Sequence, residues 1–149
     1  MPMYLEDLHV GQQFETVGRT ITNHDVMTFA GLSGDFNQLH TNDEFAKGTA
    51  YGQRIAHGIL VLAVATGLTQ RLGLFDGTTK ALLGLEWTFK GPVLLNDTIR
   101  VRMTIASLRP TSKGDAGVVE RRYEILNQRG ELVQEGVLKA LVRTRPVAA

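Results

Sequence analysis

The sequence contains no cysteine. A disulfide scaffold, a thiol nucleophile and any Cys-ligated zinc or iron–sulfur centre are thereby excluded. Net charge is nearly absent as well: 16 Lys and Arg against 15 Asp and Glu leave +1. Nothing in that balance draws the chain to nucleic acid or to an anionic membrane. Long apolar runs are missing. The longest, Ile59 to Ala65, falls far short of the roughly 20 residues that span a bilayer. The segment Met1–Phe14 has early acids and neither a basic n-region nor an apolar h-region, so no secretory leader is expected and the cytoplasm is the expected location. There is no GxGxxG and no P-loop, which removes support for dinucleotide or nucleoside triphosphate binding. HExxH is absent too, and Ser33 sits in no GxSxG setting.

What is present is an ordinary globular composition: 149 residues, 43% hydrophobic and 21% charged. That is enough chain to bury a core without staples, and residues 1–149 read as one domain with a frayed tail from Arg145. Gln12–Ile21 reads as a first strand. Thr22-Asn23-His24-Asp25 has the form of a capping box, followed by Val26, Phe29 and Ala30 at helical spacing and stopped by Gly31, Ser33 and Gly34. Thr41-Asn42-Asp43-Glu44 is a second capping-box candidate, opening a short helix to Lys47. From His57 to Leu72 a longer helix is expected. Its centre is apolar on every face, so other structure must surround it.

The second half reads as strand. Lys80–Phe89 is one candidate, stopped by Gly91-Pro92. Ile99, Val101, Met103 and Ile105 alternate with polar partners, and weaker alternation runs through Val119–Ile125 and Val137–Arg143. Gly114–Gly117 and Asn127–Gly130 are plausible turns. Four consecutive strands joined by short turns predict an antiparallel sheet curled around the apolar helix, an α+β layout with edge strands that a two-fold dimer could cover. Arg100, Arg102, Arg109, Arg121 and Arg122 are expected on a solvated sheet face.

Two polar clusters can carry chemistry. Gly31–His40 lies between two helices, and a bend there can bring Asp35 and His40 onto one water. Tyr51–Gly58 leads into the apolar helix, whose first-turn N–H groups lack intrahelical partners and could accept an oxyanion. A carboxylate, an imidazole and backbone donors can move protons beside a carbonyl, although spacing alone does not choose the reaction. Asp35 could equally be an Asx-turn former, and His40 or His57 a structural histidine. Asp35, His40 and His57 could also form a facial metal set, but without a recognisable metal-site spacing no metal is expected.

The run Phe29–His40, then Phe45-Ala46 and Arg54-Ile55-Ala56-His57-Gly58, resembles the MaoC-like hydratases, which include the (R)-specific enoyl-CoA hydratases of fatty-acid and polyester metabolism. Their signature is a Gly-Asp-x-Asn-Pro-Leu/Ile/Val-His run with a later Ala-His-Gly before the central helix. Gly11, Gly91-Pro92 and Asn96-Asp97-Thr98 extend the likeness over nearly the whole chain. Gln38 stands where the family usually has Pro, and a helix serine of some members is missing among Ala63, Ala65 and Thr66. The resemblance implies a hot-dog fold, at least a homodimer, and reversible hydration of a trans-2-enoyl-CoA to an (R)-3-hydroxyacyl-CoA. Coenzyme A would enter as part of the acyl thioester substrate, with no separate cofactor. It implies Asp35 as general base, His40 orienting the water and sharing the proton traffic, Asn37 bracing the loop, and the Gly58 N–H facing the thioester oxygen. Arg54, Ala56, His57 and Ile59 would contact substrate, with Arg54 or Lys90 meeting the CoA phosphates. The alternatives are a hot-dog acyl-CoA thioesterase and a non-catalytic acyl-CoA-binding subunit.

Overall fold

The apolar helix expected over His57–Leu72 is α4, Gly58–Gln70, in the computed structural model, which describes residues 1–148. Leu60, Val61, Ala65, Leu68 and Thr69 are buried on one side of it. Its opposite side is not covered by the described residues: Ile59 is 55% exposed, and Ala63 and Gly67 continue that stripe. The helix is therefore cradled on one side rather than surrounded, because a single curved sheet has only one concave face.

Six strands form that sheet: β1 Gln13–Glu15, β2 Arg19–Thr20, β3 Thr79–Phe89, β4 Thr98–Pro110, β5 Ala116–Leu126 and β6 Leu132–Arg143. All pairings are antiparallel and the order is β1-β4-β5-β6-β3, with β2 also on β4. Sheet and helix together make the α+β hot-dog arrangement. Ile99, Val101, Met103 and Ile105 of β4 are all but fully buried, as their alternation requires. Burying each such side chain contributes about 1.5–3 kcal/mol before entropy is counted. Tyr123 of β5 reaches the helix directly, its hydroxyl 3.0 Å from Thr69 Oγ1.

Three expectations about the strands need correction. The first strand is split. Glu15 faces Arg102 and Arg19 faces Ile99, so four steps on one strand meet three on the other and the extra residue bulges out. The last three strands are joined by short turns, but β3 is not hairpinned to β4. It lies at the far edge beside β6, and residues 90–97 carry the chain across. Lys90 and Gly91 donate to the Val133 carbonyl at 2.8 and 3.0 Å, and Ala56 donates to Val93 at 2.8 Å, so this crossing packs against the loop that leads into α4. Arg121 is not on the solvated face: it shares the parity of buried Val119 and Tyr123 and lies over the rings of Phe75 and Tyr123 at 5.2 and 5.9 Å.

The helices ahead of α4 hold the site. α1, Asn23–Ser33, has the expected capping box: Asp25 N–H donates to Thr22 Oγ1 at 3.2 Å and Thr22 N–H to Asp25 Oδ2 at 2.8 Å. Burial alone would raise the Asp25 carboxyl, but the bonds from Thr22 and Arg19 outweigh it and hold it below its ordinary value. Gly31 stays inside the helix, and the stop falls at Gly34, whose φ of 79° closes α1 with a left-handed cap. The second cap is one residue later than expected. His40 and Thr41 belong to an additional turn, α2, Gln38–Thr41, so Asn42 caps α3, Asp43–Lys47, through Oδ1 on the Phe45 N–H at 3.1 Å. Among the described residues no helix is long and apolar enough to cross a membrane.

Candidate active site

Two Asx-type bonds shape the loop between α1 and α3. Asp35 Oδ1 accepts from the Asn37 N–H at 3.1 Å, and Asn37 Oδ1 from the Leu39 N–H at 3.0 Å, capping α2. Asp35 is thus a turn former, and its second carboxylate oxygen remains available. Asn37 braces the turn that presents His40. Without the proline ring the backbone at Gln38 is not locked, but the Asn37 cap and a 2.7 Å bond from Asn42 to the Gln38 side chain hold the turn instead.

His40 has one ring nitrogen committed. Nδ1 lies 2.8 Å from the Ile55 carbonyl, which can only accept, so the proton of the neutral ring sits on Nδ1 and Nε2 carries the lone pair. Ligand atoms of Asp35, His40 and His57 all lie within 4.8 Å of one another. A water making bonds of about 2.8 Å to each of two groups bridges them at up to about 5.5 Å, so one water can serve both Asp35 and His40.

His57 lies behind this pair. It is the N-cap of α4 and only 2% exposed. Its ring stacks on His40 with centroids 3.9 Å apart and 29° between planes, and Phe29 meets it edge-on at 4.9 Å. Nε2 donates to the Asp35 carbonyl at 2.9 Å, and Nδ1 is buried without a partner. Burial above all keeps this imidazole below its ordinary value. The bond to Asp35 opposes that shift, and the nearby His40 adds to it. His40 Nδ1 and His57 Nε2 are each committed to a backbone carbonyl, which leaves one nitrogen of each ring and a carboxylate oxygen of Asp35, a set that can handle protons.

A cavity of about 500 Å³ opens beside His40. Tyr51, Ile55, Ala56, Ile59 and Val61 line its wall together with Phe89 to Val93 and Gln134. Gly58 lies in that wall, on the first turn of α4, where the N–H groups have no intrahelical acceptor. A Cβ on Gly58 would stand 2.7 Å from Phe89 Cε1, so the bare residue is what lets that ring lie against the helix terminus. Asp35 is exposed and outside the wall, as is His57; Ala56 and Ile59 are in it.

The guanidinium of Arg54 is already engaged. It bonds Asp43 at 2.6 Å, Asn23 at 2.9 Å and the His40 carbonyl at 3.1 Å, so it clamps the loop that carries His40. Of the two cations considered for phosphate, only Lys90 lines the cavity, with Nζ 2.9 Å from Glu135. Sequence reasoning missed Gln134 and Trp87. Trp87 Nε1 donates to Gln134 Oε1 at 2.9 Å, and Gln134 Nε2 to the Gly58 carbonyl at 3.1 Å. The available signal was a glutamine on the parity of buried Leu138, Ala140 and Val142, 2% exposed here, but nothing local tied it to Gly58.

Residues 7–128 match the family described as the MaoC-like domain. An (R)-specific enoyl-CoA hydratase of Rhodospirillum rubrum is 35% identical over 111 residues, 74% of each chain. One from Aeromonas caviae is 32% identical over 135 residues, 90% of this chain and 95% of that one. Among solved structures, a protein titled monoamine oxidase regulatory protein, from Archaeoglobus fulgius, superposes with a TM-score of 0.91 at 38% identity, over 97% of both chains. Motif, fold and relatives agree: the chain belongs to the MaoC-like dehydratase family.

Proposed function

We propose that the protein is a hydro-lyase that interconverts a trans-2-enoyl-CoA and an (R)-3-hydroxyacyl-CoA. The observation that carries this reading is the approach of Asp35 and His40 within 4.8 Å, beside a cavity whose wall includes the helix terminus at Gly58. The names of the Rhodospirillum and Aeromonas relatives point the same way.

In hydration, a C–O bond forms at the β-carbon, the π bond of the alkene breaks and a proton forms a C–H bond at the α-carbon. One water supplies both the hydroxyl and the proton. Asp35 and His40 bracket that water, so one takes its proton while their common neighbourhood returns a proton to the same face. The fixed Nδ1–H of His40 leaves Nε2 as the atom that accepts and donates. Asn37 positions both groups through its cap. As negative charge builds on the thioester oxygen, the Gly58 N–H opposes it, a role worth about 3 kcal/mol elsewhere. Ala56 and Ile59 contact the acyl chain, and Arg54 serves by holding the His40 loop.

The unit is a homodimer or larger. Among the described residues, strand β3 pairs only with β6, and it carries Leu82, Leu83, Leu85 and Phe89, each about half exposed, along an open edge. An apolar edge of this length on a folded chain calls for a partner strand. A second copy would also cover the bare Ile59 side of α4.

The test is loss of enoyl absorbance across straight and branched enoyl-CoAs, with chiral analysis of product. An (R)-hydroxyacyl product supports the reading. Thiol release without loss of the alkene would make the protein a thioesterase, and binding without turnover a non-catalytic subunit; either result overturns it.

A further inference from the structure

His57 was expected at the substrate, yet it is buried, outside the cavity wall and in contact with both members of the Asp35–His40 pair. Three parts of the chain meet on its ring. Phe29 of α1 meets it edge-on at 4.9 Å, the His40 ring stacks on it at 3.9 Å, and the Asp35 carbonyl accepts from Nε2–H at 2.9 Å. Its backbone begins α4: its carbonyl accepts the Val61 N–H at 3.2 Å, and the next residue is Gly58.

We infer that His57 is a positioning residue: Nε2–H pins the Asp35 backbone, the ring backs His40, and both are thereby set against the helix terminus that presents the Gly58 N–H.

The chemistry of the slot favours histidine for a specific reason. Nδ1 is buried with no partner, a cost that phenylalanine would avoid while filling the same flat space. What phenylalanine lacks is the donor to Asp35. Glutamine would keep a donor but lose the stacked face. Neutral histidine supplies both, and neutrality matters because a second cation stacked on His40 would oppose His40 whenever it holds an extra proton. The titratable groups facing His57 are Asp35, on the loop after α1, and His40, in α2, while α1 faces it with Phe29.

This inference rests on the hydration reading, and its test separates the two. Wild-type turnover of an enoyl-CoA tests the reading. The inference is tested by comparing His57→Phe with His57→Gln. Misplacing a reacting group by about 1 Å can cost about 10²-fold, so His57→Phe should lower kcat about 10- to 10²-fold with KM within about threefold. The acid limb of its kcat/KM profile should move, since that limb reports the released Asp35–His40 pair. His57→Gln should recover at least about half of that loss on a logarithmic scale, because its amide can still reach the Asp35 carbonyl. An active wild type with His57→Phe and His57→Gln equal in kcat and pH profile overturns the inference. If His57→Phe does not fold, His57→Met takes its place as the donor-free variant. If only His57→Gln folds and it is inactive, His57 belongs to the fold alone, and the inference fails.

Discussion

Replacing Gly58 with alanine adds one methyl group at the point where fold and chemistry meet. The backbone tolerates it, since Gly58 is helical and not among the left-handed glycines. Helix propensity favours alanine by at most about 1 kcal/mol, and less at a first-turn position. Against this, the new Cβ would sit 2.7 and 2.8 Å from two Phe89 ring carbons, where about 3.5–4.0 Å is comfortable. The ring must therefore retreat by about 1 Å. Phe89 is 52% exposed, so it can swing at small cost. Stability should change by about 1 kcal/mol or less, a Tm shift of about 2–4 °C. Turnover should suffer far more. Gly58 and Phe89 both face the cavity, so the methyl and the displaced ring occupy the space before the helix donors. Losing an oxyanion donor elsewhere costs about 10²–10³-fold, and a drop in kcat of about 10²-fold is expected here. Steady-state hydration of a short enoyl-CoA, read beside thermal unfolding, gives both numbers. A Gly58→Ala enzyme within threefold of wild-type kcat would show that no thioester oxygen sits at that terminus. A Tm fall above about 10 °C would instead make the glycine a packing requirement.

Asp35→Asn keeps the Oδ1 that accepts the Asn37 N–H, so the turn and Tm should hold while hydration falls about 10²–10⁴-fold; retention within tenfold would remove Asp35 from proton transfer. His40→Ala should lose activity comparably and cost about 1–2 kcal/mol through the Ile55 bond and the ring stack, whereas failure to fold would make His40 structural. Because burial lowers His57 below its unfolded value of 6.5, the unfolded chain binds more protons there. Its contribution to stability is therefore complete above that value and declines as pH falls through the lower folded one. Urea midpoints should show that decline below about pH 6.5 in wild type and a weaker one in His57→Gln, and identical pH profiles would contradict the burial argument. Sedimentation should give a dimer or larger at micromolar concentration, shifted toward monomer by Leu83→Lys on the open β3 edge; a wild-type monomer would leave that edge unexplained.

Features set by near neighbours were legible in the residues themselves. The Thr22–Asp25 box, the alternation through Ile99–Ile105 and the apolar stretch of α4 depend on contacts a few positions apart or on a repeating period. The Asp35–His40 pair could be read because a short polar loop joins them, and the family likeness added their roles. The fate of Arg54 was not legible: a basic residue near a loop looks available for phosphate until Asp43, Asn23 and the His40 carbonyl are seen around it. Arg121 likewise took the core side of β5 because Phe75, far away in sequence, supplies a ring to cover it.

Sequence by itself determined that an antiparallel sheet would form, that one helix would be its apolar companion, and that a carboxylate and an imidazole would share one loop. Tertiary structure alone decided that β3 would leave β4 and pair with β6, that His57 would lie under His40, and that Trp87 would reach the Gly58 carbonyl through Gln134. The physical reason is chain separation. Periodicity and capping are resolved within a turn or a strand, whereas these contacts join segments whose meeting depends on how the whole sheet closes over the helix.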